Sequence, residues 1–363
     1  MINQALAQWS DLFMYLAAIS YTLAFLAFTW DVASHSRTTA RLEGRQASSD
    51  SRDKEPVAAT AASHQGAGSV RLASAEQGTG ARGMAYQQTA QAQLAEHVAD
   101  PSMRWGSRSE QSRPAARVAV AMLVIGLIIH AGAVLCRGLA AQRVPWGNMY
   151  EFCTTGAFVV TLIYLITIIF RDLRFVGMLV SGLAVIMMCA ATIAFPTPVG
   201  HLKPALQSYW LVIHVSIAVL ASAVFTITFA MALLQLLQTR REKEILAGKD
   251  GGFAFLRLVP SAQALENFAF RLNAVGFVLW TFTLAAGAIW AEKAWGRYWG
   301  WDTKEVWTFV IWVVYAAYLH ARATMGWSGP RSAWLSIIGY LCIIFNFTVI
   351  NIFFSGLHSY SGL

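Results

Sequence analysis

The stretch WGRYWGWDTKEVW, residues 295–307, gathers Trp295, Trp299, Trp301 and Trp307 around Tyr298 and the charged groups Arg297, Asp302, Lys304 and Glu305. Seven of the fourteen tryptophans lie between 280 and 312, with Gly296 and Gly300 among them. Tryptophans at a membrane boundary commonly form a belt, but this density around one aspartate exceeds a belt. Two histidine motifs stand elsewhere in the chain, SYWLVIHV ending beyond His214 and GLHSY around His358. Two imidazoles, an aromatic shelf and nearby cations suit one ligand. Heme iron takes two axial histidine nitrogens, its macrocycle stacks on aromatic faces, and its propionates seek Arg or Lys. Arg297, Lys304 and Lys203 are the cations at hand. The four cysteines, Cys136, Cys153, Cys189 and Cys342, lie far apart without a CxxC. That excludes a dithiol redox motif or a zinc cluster and leaves them as small buried hydrophobes.

A single histidine near a helix end is usually structural, so the heme reading depends on where the elements put these groups. Of 363 residues 56% are hydrophobic and only 13% charged, against about 25% charged in soluble domains. Eight apolar runs, at 11–30, 117–136, 150–170, 174–194, 209–237, 266–290, 305–323 and 333–354, approach or exceed the ~20 residues that cross a bilayer as helix. Helix is the structure open to isolated apolar segments in lipid. The expected fold is therefore all-α, a polytopic membrane helix bundle of about eight spans. Residues 1–30 form a first helix, 31–115 a cytoplasmic disordered linker poor in large apolar groups with room for a short interfacial helix at 88–99, and 116–363 the main membrane domain. Residues 172–173 predict a tight hairpin between spans three and four.

Basic residues set the orientation. With both termini outside, 21 of the 27 Lys and Arg fall on the cytoplasmic side, and Arg137, Arg143, Lys203, Lys293, Arg297 and Lys304 remain outside. The positive-inside rule favours that choice. The net charge of +8 then needs no nucleic acid as partner; the partner it implies is membrane lipid. His214, about five residues into span five, the outer loop 291–304 and His358 then converge at one depth on the outer face. Asn351, seven residues before His358, shares its face if the helix continues, and either supports the site or bonds between helices. His320 sits near the inner end of span seven, while His130 lies in the outer half of span two, so the two are mismatched in depth. His320 is either structural or pairs with a histidine of another chain. His201, in PTPVGHLKP, reads as a loop histidine.

WGRYWGWDTKE matches the WGxxWxWDxKE signature of the tryptophan-rich (WWD) heme-handling membrane proteins. With SYWLVIHV before it, GLHSY after it, and VPWGNMYEF at 144–152 similar to an outer-loop stretch ending in Asn-x-Tyr-Glu, the chain resembles the CcsA (ResC) family of System II cytochrome c biogenesis. The likeness covers spans two to eight. It implies a multi-pass protein of the plasma (inner) membrane with its active site on the outer face, acting with a CcsB (ResB) subunit as a cytochrome c synthase. Its substrates would be heme b and an apocytochrome c, whose CxxCH thiols, kept reduced by a thioredoxin-like system, are joined to the heme vinyl groups. By position, the resemblance implies His214 and His358 as axial ligands of the outer heme, and His320 as a transmembrane ligand whose partner comes from CcsB. Trp295, Gly296, Trp299, Trp301 and Asp302 would form the heme platform. Arg297, Lys304 and Lys203 would be propionate contacts, with Asn351, Asn148 and Glu151 in support. Two rivals remain: a heme transporter or chaperone that does not ligate, and a quinone-linked cytochrome b, which would require depth-matched histidine pairs within this chain.

Overall fold

Capping residues and prolines punctuate the apolar runs into helices. The computed structural model describes residues 2–53, 103, 113–202, 206–249, 252–354 and 356–358. Helix α1 runs Gln4–Asp53, with Gln4–Ser34 apolar enough to span. Helix α2, Pro114–Ala141, starts with proline in its first turn, where the missing N–H costs nothing. Asn148 caps α3, Met149–Phe170, by accepting from Glu151 N. A 3₁₀ turn, Arg174–Val176, opens α4, Gly177–Cys189, which ends in a π turn, Ala190–Ala194. Ser208 caps α5, Tyr209–Leu246, and Ser261 caps α6, Ala262–Trp295. Helix α7 is Thr303–Thr324; α8, Pro330–Phe347, again starts on proline and is followed by the short α9, Val349–Phe353.

Among the described residues, eight helices are long and apolar enough to cross a membrane, each overlapping one expected span. The protein is all-helical among the described residues. Two boundaries differ from expectation. Helix α1 continues to Asp53, so 31–53, expected to open the linker, is helical. Residues 54–102 and 104–112, including the short helix expected at 88–99, lie outside the described residues. Helix α5 also outruns its apolar run, to Leu246 rather than 237.

Helix α5 is the axle of the bundle, with 72% of its apolar window buried. It packs along α6 and against α8, while α7 packs on α8 and α6; α1 lies along α2 and α4. Small residues permit the close crossings. A Cβ on Gly276 would stand 2.6 Å from the Phe225 ring, and one on Gly339 2.8 Å from Tyr315. At one end of the bundle Glu266 of α6 joins four helices: it pairs with Arg322 of α7, accepts from Gly329 N (2.8 Å) and Ser332 Oγ (3.1 Å) of the α8 start, and receives Gln235 Nε2 of α5 at 3.3 Å. Helix alternation puts the tryptophan loop at the opposite end. Asn3 and His358 also lie at that end: Asn3 N donates to Ala140 O at 3.1 Å, and His358 reaches Asp302.

Candidate functional site

The loop between α6 and α7 is built by its own polar groups. Helix α6 stops at Gly296, whose φ of +69° is left-handed and favours glycine, its N–H donating to Glu292 O at 2.8 Å. Glu305 folds back on the loop, accepting from Gly300 N (2.8 Å) and Asp302 N (3.1 Å). Asp302 caps α7 in return, completing a capping box. Between them Trp301 takes φ +57°, a conformation rare for a bulky residue and costing about 1–3 kcal/mol. Its ring is 77% exposed and meets Trp299 edge-on at 5.9 Å.

His214 and His358 come together in one pocket under this loop. Its lining includes Trp146, Phe152, Trp280, Trp290, Trp299 and Lys304 beside both histidines. Trp290 touches both imidazoles, stacked on His214 (5.9 Å, 15°) and edge-on to His358 (5.5 Å). Trp295 packs against His358 at 4.7 Å. The Nδ1 of His214 donates to Thr283 O at 2.9 Å, and the Nδ1 of His358 to Asp302 Oδ2 at 2.7 Å. A carbonyl and a carboxylate can only accept, so each ring carries a proton on Nδ1. This is the anchoring that orients metal-ligating histidines. The hydrogen bond from His358 holds the Asp302 carboxyl below the usual carboxylate range, against the effect of burial.

The expected site residues fare differently. Trp299, Lys304, Asn148 and Asn351 line the pocket with the two histidines, and Trp295 braces His358 from behind. Gly296 shapes the turn. Trp301 faces away, exposed by its left-handed backbone, and Arg297 lies exposed over Gly300. Asp302 holds His358 rather than edging a platform. Lys304 Nζ donates to Asn351 Oδ1 at 2.5 Å, and Asn351 Nδ2 donates to Phe347 O at 2.8 Å. Asn351 therefore serves Lys304, not His358: the helix ends at Phe353, which removes the shared face that a continued helix would give. Glu151 is not in the lining. It is buried between Arg137 (3.0 Å) and Arg143 (2.7 Å), where it pins the loop before α3. Lys203 lies outside the described residues. His320 is exposed on α7 towards the Glu266 end, His201 is exposed in its loop, and His130 is buried against Tyr21, its Nδ1 3.2 Å from the phenol oxygen.

Gly287 lines the pocket without having been marked by any sequence motif, and Trp280 and Trp290 line it although they were counted only within the tryptophan cluster. The usable signal was AAGAIW at 285–290, small residues followed by an indole at the end of a span. A Cβ on Gly287 would stand 2.8 Å from His214 Cε1, so the histidine needs glycine opposite it.

A heme fits this donor set. Among the described residues no group of three or more His, Cys, Asp or Glu could hold a bare metal ion. Two axial imidazoles suffice only when the ligand brings its own equatorial nitrogens. Trp146 Nε1, Trp290 Nε1 and Asn346 Oδ1 are buried without partners, polar groups that a ligand with carboxylates or waters would satisfy.

A helix bundle with eight span-length helices among the described residues, and a tryptophan-lined pocket that holds two anchored histidines, defines a class: polytopic membrane proteins with an aromatic, two-histidine pocket at one end. Residues 146–358 match the family described as Cytochrome C assembly protein. The "Cytochrome c biogenesis protein CcsA" of Guillardia theta is 35% identical over 243 residues, covering 62% of this chain and 80% of the relative. The proteins of that name from Microcystis aeruginosa (32% over 285 residues, 67% and 85%) and Mesostigma viride (30% over 242 residues, 62% and 79%) are similar at the same level. The chain belongs to the CcsA family of cytochrome c biogenesis proteins.

Proposed function

We propose that this protein presents heme b at the outer face of the plasma membrane and, with a CcsB-like subunit, attaches it to the CxxCH cysteines of apocytochrome c. The observation that carries the reading is the pair His214 and His358, both Nδ1-anchored in one tryptophan-lined pocket. In this reading their Nε2 atoms ligate the iron, Trp290, Trp295 and Trp299 flank the macrocycle, and Lys304 neutralises a propionate. Attachment adds each reduced thiol across a heme vinyl group, so the protein's contribution is placement and exclusion of competing geometries. The excess of Lys and Arg at the Glu266 end supports the orientation with both termini and the pocket outside. His320, exposed on α7, fits a ligand completed by a second subunit. A quinone-linked cytochrome b is disfavoured, because His130 is enclosed against Tyr21 while His320 faces outward on another helix. A transporter without ligation activity would share the pocket but not the attachment.

The test is an apocytochrome c reporter in a host stripped of its own maturation system, given the chain with and without a CcsB-like partner. Covalent heme on the reporter is expected only with both subunits, and His214→Ala or His358→Ala should reduce it at least about 100-fold, as loss of a positioning ligand does. Normal maturation in both variants would sink the ligand assignment. Attachment by this chain alone would overturn the two-subunit reading, and loaded heme without attachment would favour the transporter.

A further inference from the structure

Three arginines are buried among the described residues, Arg113, Arg137 and Arg241, none more than 5% exposed. Two of them are met by carboxylates, Arg113 by Asp31 and Arg137 by Glu151 at 3.0 Å. Arg241, near the end of α5, is covered as fully, yet its Nη1 is enclosed without a hydrogen-bond partner. The neighbouring Glu242 contributes a field, but its Oε1 is engaged at the start of α6, accepting from Ala262 N at 2.8 Å. Taking a guanidinium out of water is costly unless an anion accompanies it. A second group without a partner stands three residues before it on α5, about 5–6 Å away between Cβ atoms. Gln238 is fully buried, and its Nε2 faces Val259 O at 3.5 Å. A carbonyl can only accept, so the amide nitrogen belongs on that side and the partnerless Oε1 is left for a donor. Arg241 lies one turn beyond Leu237, where the apolar run of α5 ends, and Leu237 on the same face is 38% exposed. That is the depth at which hydrocarbon gives way to lipid headgroups.

We propose that Arg241 and Gln238 form the headgroup site of one phospholipid, of the kind that carries a hydrogen-bond donor beside its phosphate, as phosphoethanolamine does. The guanidinium takes the phosphate oxygens, which its planar fork matches. The ammonium of the headgroup donates to Gln238 Oε1, and an acyl chain runs along α5 past Leu237. Basic pockets at the ends of membrane helices recognise phosphate-bearing lipid heads in this way. A trapped water would satisfy the two hydrogen-bonding atoms but leave the guanidinium charge uncompensated. A free phosphate offers the same anion, and the exposed Leu237 favours a ligand with an apolar tail. The site lies at the Glu266 end of the bundle, away from the two-histidine pocket, and stands whether or not that pocket binds heme.

The experiment titrates the full-length protein, purified in detergent and delipidated, with dioleoyl phosphatidylethanolamine, dioleoyl phosphatidylcholine, dioleoylglycerol or inorganic phosphate. Bound molecules are counted by native mass spectrometry, and unfolding midpoints are read alongside. The wild type should retain one phosphatidylethanolamine, hold phosphatidylcholine, which has no donor, more weakly, and not retain dioleoylglycerol. Arg241→Gln removes the cation. Gln238→Glu sets a carboxylate three residues from Arg241, a built-in countercharge that takes the place of the phosphate. Retention should weaken at least about tenfold in both variants, since hydrogen bonds to charged groups carry that much, and stay unchanged in Arg240→Gln, whose side chain is 81% exposed. If Arg241→Gln does not fold, Gln238→Glu carries the test. Wild-type retention of phosphatidylethanolamine in the folded variants overturns the inference, as does a wild type that retains none. Stabilisation of the wild type but not of Arg241→Gln by inorganic phosphate, with no phospholipid held, assigns the site to a soluble phosphate and overturns the lipid. Equal retention of phosphatidylcholine and phosphatidylethanolamine overturns the role of Gln238.

Discussion

Asp302 illustrates how much a single carboxylate does at this site. One group caps α7, through Lys304 N at 3.4 Å, and fastens the segment that carries His358. The tryptophans divide just as sharply. Trp290 contacts both imidazoles, whereas Trp301, at the centre of the sequence motif, is exposed and outside the lining. Heme loading should therefore fall in Trp290→Ala and remain unchanged in Trp301→Ala, measured as heme per protein after purification with the partner subunit. Loss in Trp301→Ala alone would contradict the pocket described here. Trp301 is better placed to meet something arriving from outside. Gly287→Ala supplies a second residue-scale test. Its methyl would press on His214 Cε1 from 2.8 Å, so the imidazole must turn from Thr283 O, and the low-spin heme signal should weaken while the helices, read by circular dichroism, stay intact.

At the scale of elements, the loop before α3 separates two roles that the sequence left together. Asn148 is a helix cap, and Asn148→Ala should cost about 1 kcal/mol. Glu151 is a buried countercharge for Arg137 and Arg143, so Glu151→Ala should cost roughly 3–5 kcal/mol by leaving two guanidinium groups uncompensated. Denaturant midpoints in detergent separate the two, and equal losses would contradict the assignment. The spans themselves were readable because ~20 apolar residues in lipid leave helix as the sole option. His214 was readable for a related reason, since a fixed rise per residue converts sequence position into depth. What could not be read were the ends. The helix stops at Phe353, so the seven-residue spacing from Asn351 to His358 lost its meaning, and Asn351 turned to Lys304. Trp290 was hidden because an indole at the end of a span looks like a membrane belt until its neighbours are known. The exposure of Trp301 could not be read because it follows from a single left-handed residue, and nothing in the local composition announces it.

Across the whole molecule, the pocket and His320 lie at opposite ends of the bundle. The end opposite the pocket is closed by the Glu266 junction, which ties α5, α6, α7 and α8 together. His320 stands on the outside of that unit. If a second subunit completes its coordination, His320→Ala should leave heme binding at the pocket intact when heme is supplied to the purified protein, yet lower cytochrome c maturation in cells at least about tenfold, in the range of ligand-shell losses. Equal effects in both assays would place His320 in the fold instead. The central claim, however, is that His214 and His358 hold one iron between them. It is tested most directly by electron paramagnetic resonance of the ferric protein purified with its partner. The prediction is a low-spin bis-histidine signal in the wild type that becomes high-spin in both His214→Ala and His358→Ala; a low-spin signal surviving unchanged in either variant would contradict it.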